Sequence, residues 1–157
     1  MQIRDATFED CDALGAGMKV VVDEGIWLAT EEATELELAN RFRQAILEGH
    51  QVFVLEEQGG VVGALGMHPG STAGVVSLGM WVLPSHRGRG GGRMLMEAAL
   101  AARPDEVHKI ELEVFPENEA AIALYRKLDF EEEGLRRDHY RRRDGSLRSA
   151  LIMARLF

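Results

Sequence analysis

Apolar residues recur with a helical period over the first fifty positions of the chain. A short run at residues 3–6 predicts an opening strand, and the spacing of Thr7 and Asp10 is typical of a helix start. Residues 8–23 predict a first helix, because large apolar side chains fall on one face: Leu14, Met18, Val21 and Val22. A second helix is predicted to end at Gly49, and its expected buried stripe comprises Leu36, Leu38, Ala39, Phe42, Ile46 and Leu47.

The period then changes to two, which is typical of strands. Three β-rich runs separated by turn-forming segments predict an antiparallel meander at residues 51–56, 61–68 and 75–83. A helix, a strand and a helix are predicted next, at residues 92–102, 109–115 and 119–128. A strand, helix and strand in succession imply parallel pairing of the two strands. Two more strands, 130–142 and 147–157, are joined by Asp144-Gly145, a strong hairpin signal. The pattern therefore predicts a single α/β domain over residues 1–157, with a mixed sheet of about seven strands and helices on both faces.

The composition is that of an ordinary globular chain and excludes several classes of protein. Of 157 residues, 46% are hydrophobic and 28% are charged, so intrinsic disorder is excluded. No stretch is apolar over the roughly 18 residues that a membrane helix needs, and the first residues do not resemble a signal peptide. We therefore expect a cytoplasmic protein without a membrane partner. Cys11 is the only cysteine and the five histidines are far apart in sequence, so we expect neither an internal disulfide nor a metal.

Charge is distributed unevenly, which indicates where an anionic ligand would bind. The net charge is −8, yet residues 1–85 carry 4 basic and 13 acidic groups while residues 86–157 carry 14 and 13. The segment 80–95 joins a strand to a helix and contains no acid, and its glycines and arginines are Gly88, Gly90, Gly91, Gly92, Arg87, Arg89 and Arg93. Such glycines let backbone N–H groups approach an anion at a helix N-terminus, and the arginines add positive charge. The segment predicts a phosphate-binding loop, although it matches neither the Gly-x-x-x-x-Gly-Lys-Ser/Thr nor the Gly-x-Gly-x-x-Gly pattern.

Two segments resemble the Gcn5-related N-acetyltransferase (GNAT) family. The family signature Arg/Gln-x-x-Gly-x-Gly/Ala is matched by residues 87–92, Arg-Gly-Arg-Gly-Gly-Gly. The family segment Asn-x-x-Ala-x-x-Leu-Tyr-x-Lys-x-Gly-Phe is matched from Asn118 to Phe130, with Asp129 in place of the family glycine. Asp129 is expected to take a left-handed conformation at the helix end. The resemblance covers nearly the whole chain and implies the family's fold and acetyl-CoA-dependent transfer of an acetyl group to an amine.

The resemblance also implies which residues hold acetyl-CoA. The pyrophosphate of this cofactor is expected on the loop of Arg87, Gly88, Arg89, Gly90, Gly91, Gly92 and Arg93. The pantetheine arm is expected to pair with backbone groups of Trp81 and Val82, where strands 75–83 and 109–115 splay apart. Asn118 is expected to contact the cofactor at the start of its helix. Independently, Pro84 lacks an N–H group and therefore suits the end of a strand.

Direct attack of an amine on a thioester needs a neutral amine and a proton for the departing thiolate. Tyr125 occupies the family position of the general acid, and helical spacing places it on the face of Asn118 and Ala121. A packed aromatic side chain is the structural alternative for this tyrosine. Glu111 and Glu113 share one face of the strand at residues 109–115, and Glu113 is the preferred general base.

The acceptor amine is the least determined part of this hypothesis. Trp27, between the first two helices, either lines the acceptor pocket, as that loop does in similar acetyltransferases, or packs over the core. Acidic residues near Trp27 suit a cation and the hairpin arginines at residues 136–143 suit a carboxylate, so an amino acid or related zwitterion is the preferred small-molecule amine. A peptide or protein N-acetyltransferase and a non-catalytic acyl-CoA-binding module are the alternatives. The arginine run is interpreted as a solvated edge hairpin, with no nucleic-acid partner, and a homodimer is left open.

Overall fold

The computed structural model describes the whole chain, Met1–Phe157. The helices are α1 (Cys11–Asp23), α2 (Glu35–Leu47), α3 (Gly91–Ala101) and α4 (Glu119–Lys127). The strands are β1 (Gln2–Asp5), β2 (Val52–Glu57), β3 (Gly60–Pro69), β4 (Val75–Val82), β5 (Lys109–Val114), β6 (Glu131–Arg141) and β7 (Leu147–Leu156). The seven strands form one mixed sheet in the order β1-β2-β3-β4-β5-β7-β6, which confirms the predicted fold class.

The pairing directions agree with the predictions from sequence. β2 pairs antiparallel with β1 and with β3, and β4 pairs parallel with β5 from Val75↔Lys109 to Leu78↔Leu112. β7 pairs antiparallel with both β5 and β6. The position of β7 between β5 and β6, which leaves β6 at the edge of the sheet, is a feature that the alternation of apolar and polar residues did not predict.

The chain divides into two compact units, of which the first comprises Met1–His68 and Gly79–Pro104. Its core joins α1, α2 and the sheet through a cluster that contains Leu14, Val21, Ala45, Val52, Val54, Ala64 and Trp81. The two helices approach closely at Gly15, where an added Cβ would lie 2.6 Å from the backbone nitrogen of Ala39. At Gly17 the missing side chain makes room for the indole of Trp81, since an added Cβ would lie 2.4 Å from its ring. Small residues in α1 therefore set how α2 and Trp81 pack.

The first helix starts later than predicted, and the second, whose start was not predicted, begins with a capping box. Residues Phe8–Asp10 form a 3₁₀ turn, and α1 begins only at Cys11. The carboxylate of Asp10 accepts a hydrogen bond from the Thr7 N–H at 2.7 Å, which stabilises this tight turn. α2 begins after Thr34, whose hydroxyl accepts from the Glu37 N–H at 3.2 Å while the Glu37 carboxylate accepts from the Thr34 N–H at 2.7 Å. This reciprocal capping box is visible in the sequence and was not used in the prediction.

The predicted buried stripe of α2 is wrong at two positions. Leu36 and Leu47 are 63% and 71% exposed, whereas Leu38 and Ala45 are buried. Leu36 lies two positions from Leu38, and Leu47 lies two positions from Ala45. Two positions correspond to roughly 200° around a helix, so each exposed leucine lies on the face opposite its buried neighbour. Hydrophobicity alone placed these leucines in the core, and their angular position on the helix excludes them from it.

The second unit comprises Pro69–Leu78 and Asp105–Phe157. Alternate residues of β5 are buried, namely Ile110, Leu112 and Val114, as the alternation predicted. α4 ends at Lys127, and Asp129 has a φ of +62°, so the expected left-handed conformation of Asp129 is confirmed. None of the four helices has the length and apolar composition that a membrane crossing requires.

The arginine-rich hairpin is exposed with two exceptions. β6 is the edge strand, and its side chains are exposed, as predicted, apart from the half-buried Tyr140. Arg142 follows β6 and is only 5% exposed, which contradicts the expectation of a wholly solvated run. Its guanidinium lies 5.4 Å from the ring centre of Phe115, and the guanidinium of Arg148 lies 5.0 Å from the same ring. This geometry is a cation–π contact of the buried arginine with a buried aromatic ring.

Candidate active site

The glycine-rich loop of the first unit has an open backbone at the start of α3. A short 3₁₀ turn, Pro84–His86, ends β4, and the chain then passes through Gly88 and Gly90 with φ of +71° and +85°. An added Cβ at either glycine would meet nothing within 4 Å, so these residues are needed for their left-handed conformation and not for packing. No side chain caps α3, and the first N–H groups of a helix have no acceptor within it. The loop therefore exposes backbone donors and the positive end of a helix dipole, which together favour an anion.

Glycine is required at position 91 for a different physical reason from Gly88 and Gly90. An added Cβ at Gly91 would lie 2.5 Å from Cδ2 of Leu55 in β2, so this glycine allows α3 to pack against the sheet. The sequence interpretation treated the glycines of the loop as one group that admits a ligand. In the structure, Gly88 and Gly90 allow the left-handed backbone of the loop, whereas Gly91 allows α3 to pack against β2.

The three arginines of the loop are paired with glutamates from outside the segment 80–95. Arg87 donates to both carboxylate oxygens of Glu24, at 2.8 and 2.5 Å. Arg89 donates to both carboxylate oxygens of Glu57, at 3.0 and 2.7 Å. Arg93 donates to Glu97 one helical turn later, at 2.7 Å. The arginines are thus held in place by carboxylates, and an anionic ligand would exchange with these carboxylates.

The end of β4 carries Trp81 and Val82, the residues expected to pair with pantetheine. Trp81 is buried in the core cluster, and its indole Nε1 has no hydrogen-bond partner. The Val82 carbonyl accepts a hydrogen bond from Nε of Arg87 at 3.0 Å. Arg87 therefore contacts both β4 and Glu24, and it fixes the loop against the strand that precedes it.

Asn118 caps α4 in the second unit. Its side-chain oxygen accepts a hydrogen bond from the Ala121 N–H at 3.2 Å, and its own N–H donates to the Phe115 carbonyl at 2.9 Å. These bonds explain why an asparagine stands at the helix start, because asparagine is a preferred N-cap residue. The oxygen of the amide is used within the protein, so contact with a cofactor would fall to its NH₂ group.

Tyr125 lies one turn after Ala121 in α4 and is buried beside the ring of Phe130, at 6.1 Å between ring centres. Burial raises the pKa of Tyr125 to about 12. The hydroxyl consequently keeps its proton throughout the physiological range of pH. A protonated, desolvated phenol is able to donate a proton or a hydrogen bond to a developing anion.

Glu113 is engaged by two donors from the β6 strand. One carboxylate oxygen accepts from the guanidinium of Arg136, and the other accepts from the hydroxyl of Tyr140 at 2.6 Å. Burial, with the hydrogen bond to Glu113, raises the pKa of Tyr140 to about 12, so this hydroxyl remains a donor. Sequence reasoning did not identify Tyr140 or Arg136 as partners of Glu113. To act as a base, Glu113 would have to exchange one of these donors for a proton.

Trp27 lies half-buried in the segment between α1 and α2. The remaining sequence-predicted residues fall into two sets, one in each unit. The loop residues, Trp27, Trp81 and Val82 belong to the first unit, whereas Glu113, Asn118 and Tyr125 belong to the second. Within the second unit, the structure adds Phe115 with two arginines, of which Arg142 belongs to the arginine-rich run at residues 136–143 and Arg148 does not.

A family model described as "Acetyltransferase (GNAT) family" matches residues 20–130, which is more than half of the chain. The chain belongs to this family. The glycine-rich loop, α3, β5 and α4 all lie within the matched region of this GNAT protein. The resemblance inferred from residues 87–92 and from the segment Asn118 to Phe130 is therefore confirmed.

Individual relatives agree on the fold and differ in the acceptor that their names state. The N-alpha-acetyltransferase RimI of Mycobacterium tuberculosis (strain ATCC 25618 / H37Rv) is 36% identical over 107 residues, which are 64% of this chain and 65% of that relative. The chain thus matches slightly less than two thirds of the relative's length.

Two solved structures superpose on most or all of the chain. The crystal structure of a ribosomal-protein-alanine N-acetyltransferase from Brucella melitensis has a TM-score of 0.89, 27% identity and complete coverage of both chains. A GNAT superfamily phosphinothricin acetyltransferase (Pat) from Sinorhizobium meliloti, solved in complex with AcCoA, has a TM-score of 0.85 and 23% identity, with 99% of this chain and 88% of that chain covered. The second likeness supports the fold alone.

Proposed function

We propose that the protein is an acetyl-CoA-dependent N-acetyltransferase that transfers the acetyl group to a primary amine by direct attack. The observation that carries the proposal is the loop before α3, where Gly88 and Gly90 hold the backbone open and Arg87 stands at the arginine position of the family signature. Membership of the GNAT family supports acetyl-CoA as the co-substrate.

The proposal assigns the cofactor to residues predicted from the sequence. The pyrophosphate would accept hydrogen bonds from N–H groups at the start of α3, with Arg87, Arg89 and Arg93 supplying positive charge. Backbone groups of Trp81 and Val82 would pair with the pantetheine amides, and this stretch of β4 follows its last pair with β5 at Leu78. A fit is supported by the open loop backbone and by arginines whose carboxylate partners are replaceable by phosphate.

The chemistry requires two proton transfers around one new bond. The amine nitrogen bonds to the thioester carbonyl carbon, the C–S bond breaks, and the departing thiolate takes a proton. We assign that proton to Tyr125, whose raised pKa keeps the phenol protonated at neutral pH. The attacking amine must lose a proton, and Glu113 is the proposed acceptor of it. Because the carboxylate of Glu113 already accepts from Tyr140, these two residues would have to act together.

The preferred acceptor is a free amino acid or related zwitterion. Arginines of the hairpin favour the carboxylate of such a molecule, and the acidic first half of the chain favours its ammonium group. A second candidate is the amino terminus of a peptide or protein. It is supported by the 36% identity to a relative named as an N-alpha-acetyltransferase.

Thiol release from acetyl-CoA in the presence of matched acceptors tests these proposals. The acceptors are the common amino acids, the amides of the same amino acids, and short peptides that begin with them. A zwitterion site predicts faster turnover of a free amino acid than of its amide, because the amide lacks the carboxylate. Preference for peptides over both would favour the second candidate and contradict the first.

A non-catalytic acyl-CoA-binding module is separated from an enzyme by Tyr125→Phe. If the protein is catalytic, this variant should bind acetyl-CoA with unchanged affinity and lose turnover by about a hundredfold or more. If the unmodified protein binds acetyl-CoA but releases no thiol with any amine, the binding module is favoured. If calorimetry detects no binding of acetyl-CoA, both proposals are wrong.

A further inference from the structure

Two histidines face each other across neighbouring strands of the first unit. His50 lies two residues before the start of β2, and His68 lies near the end of β3. The pairing of Val52 with Gly66 continues through a hydrogen bond from the Met67 N–H to the Gln51 carbonyl, which places residues 50 and 68 opposite each other. Their Nδ1 atoms are 3.4 Å apart, and the two rings are nearly perpendicular, at 83°.

The separation of these nitrogen atoms matches metal chelation better than a direct hydrogen bond. N–H···O hydrogen bonds in proteins have donor–acceptor distances of about 2.7–3.2 Å, so a direct hydrogen bond between these two nitrogen atoms at 3.4 Å would be a long one. Two nitrogens bound to a tetrahedral Zn²⁺ at about 2.0–2.1 Å lie roughly 3.3–3.4 Å from each other. The Nδ1 pair therefore already has the spacing of two ligands of one ion.

Neighbouring residues hold the pair in this arrangement. An added Cβ at Gly66 would lie 2.9 Å from Nε2 of His68, so the glycine lets the imidazole fold back over its own strand. On the other side, a carboxylate oxygen of Glu48 lies 3.7 Å from Nε2 of His50. A carboxylate beside the far nitrogen of a ligating histidine is the usual outer-shell partner of metal sites.

The strand pairing brings together two histidines that are far apart in sequence, and contrary to the expectation from that separation we propose that His50 and His68 bind a divalent transition-metal ion of the Zn²⁺ class through their Nδ1 atoms, with water at the other coordination positions. No group of three or more His, Cys, Asp or Glu side chains in the structure is arranged to hold a metal, so the protein contributes two ligands only. Imidazole ligands select Zn²⁺, Cu²⁺ or Ni²⁺ over Mg²⁺ and Ca²⁺. Because one ligand precedes β2 and the other lies in β3, the ion would join the start of β2 to the end of β3.

Calorimetric titration of the chelator-treated full chain with Zn²⁺ tests the site. We expect one Zn²⁺ per chain, loss of that binding in His50→Gln and in His68→Gln, and no response to Mg²⁺. His139→Gln is the matched control, because His139 lies on the exposed edge strand β6 and should leave Zn²⁺ binding unchanged. Far-ultraviolet circular dichroism of each variant checks that the fold is retained.

A second measurement reports on the ligating atoms directly. Nitrogen chemical shifts of the imidazoles should show Zn²⁺ at Nδ1 of both residues, and saturating Zn²⁺ should raise the melting temperature of the unmodified chain but not of His68→Gln. Zn²⁺ binding that survives in both single variants, or absence of binding to the unmodified chain at millimolar Zn²⁺, would overturn the proposal. These outcomes do not depend on whether the protein transfers acetyl groups.

Discussion

Replacing Gly90 by alanine should weaken acetyl-CoA binding much more than it weakens the fold. Gly90 has a φ of +85° with no neighbour within 4 Å of an added Cβ, so the fold loses only the roughly 1–2 kcal/mol of a left-handed alanine. For a chain of this length, that corresponds to a melting temperature lower by about 2–8 °C. The new methyl group would stand beside the N–H groups proposed to hold the pyrophosphate. Loss of one hydrogen bond to a charged group, about 1.5–3 kcal/mol, predicts a Kd roughly ten- to hundredfold higher.

Calorimetric titration with acetyl-CoA, at a temperature where every variant is folded, measures this difference. The matched control is Gly49→Ala, since Gly49 ends α2 in the same unit with a φ of +77° and equally open surroundings. It should lose a similar amount of stability and no affinity. Alanine is preferred to valine at both positions, because a β-branched side chain is strained further in the left-handed region. Unchanged affinity in Gly90→Ala, or equal losses in both variants, would refute the placement of the pyrophosphate.

Three further predictions concern Glu57 beside the glycine-rich loop, Asn118 at the start of α4, and Asp10 in the 3₁₀ turn before α1. Glu57→Gln should tighten acetyl-CoA binding by about two- to fivefold at low salt, because it frees Arg89 from a partly exposed ion pair. Calorimetry at two salt concentrations measures the change in affinity. Weaker binding would instead show that Glu57 positions the arginine. Asn118→Ala should lower the free energy of unfolding by about 1 kcal/mol through loss of the α4 cap, as measured by urea denaturation. The Arg4 guanidinium holds the pKa of Asp10 well below its ordinary value, so the stability from this pair is present above about pH 4 and is lost as the pH falls towards the folded-state pKa. Urea midpoints measured between about pH 5 and pH 2 should therefore fall less steeply in Asp10→Asn than in the unmodified chain.

The parts of the protein that could be predicted from sequence are those with local signals. The loop at residues 87–92 was recognised because its glycines and arginines lie together at the start of a predicted helix. The sequence placed Asn118 at the start of its helix, but not its role as the helix cap. The partners of the loop arginines were not recognised. Glu24 and Glu57 lie 63 and 32 residues from Arg87 and Arg89, and only the packing of α1 and β2 brings them together.

The same limit applies to the second unit. The alternation in β5 predicted that Glu113 would point away from the core, but not that Tyr140 would meet it from 27 residues further along the chain. The irregular register of β6 on β7 between Arg136 and Tyr140 removes the strict period of two on which such a prediction relies. Arg142 was expected in solvent because arginine side chains are usually exposed. Its contact with the ring of Phe115 depends on tertiary structure, which the local sequence does not show.

The placement of β7 between β5 and β6 has a consequence for how the chain matures during synthesis. β6 emerges from the ribosome before β7, yet its hydrogen-bonding partner in the sheet is β7, which also separates it from β5. Until residues beyond Leu147 are available, β5 and β6 both present unpaired backbone edges towards the place that β7 will take. The second unit therefore cannot be assembled stepwise in chain order. A nascent chain halted before β7 should depend on chaperones to avoid edge-to-edge association, whereas one released after Leu156 should not.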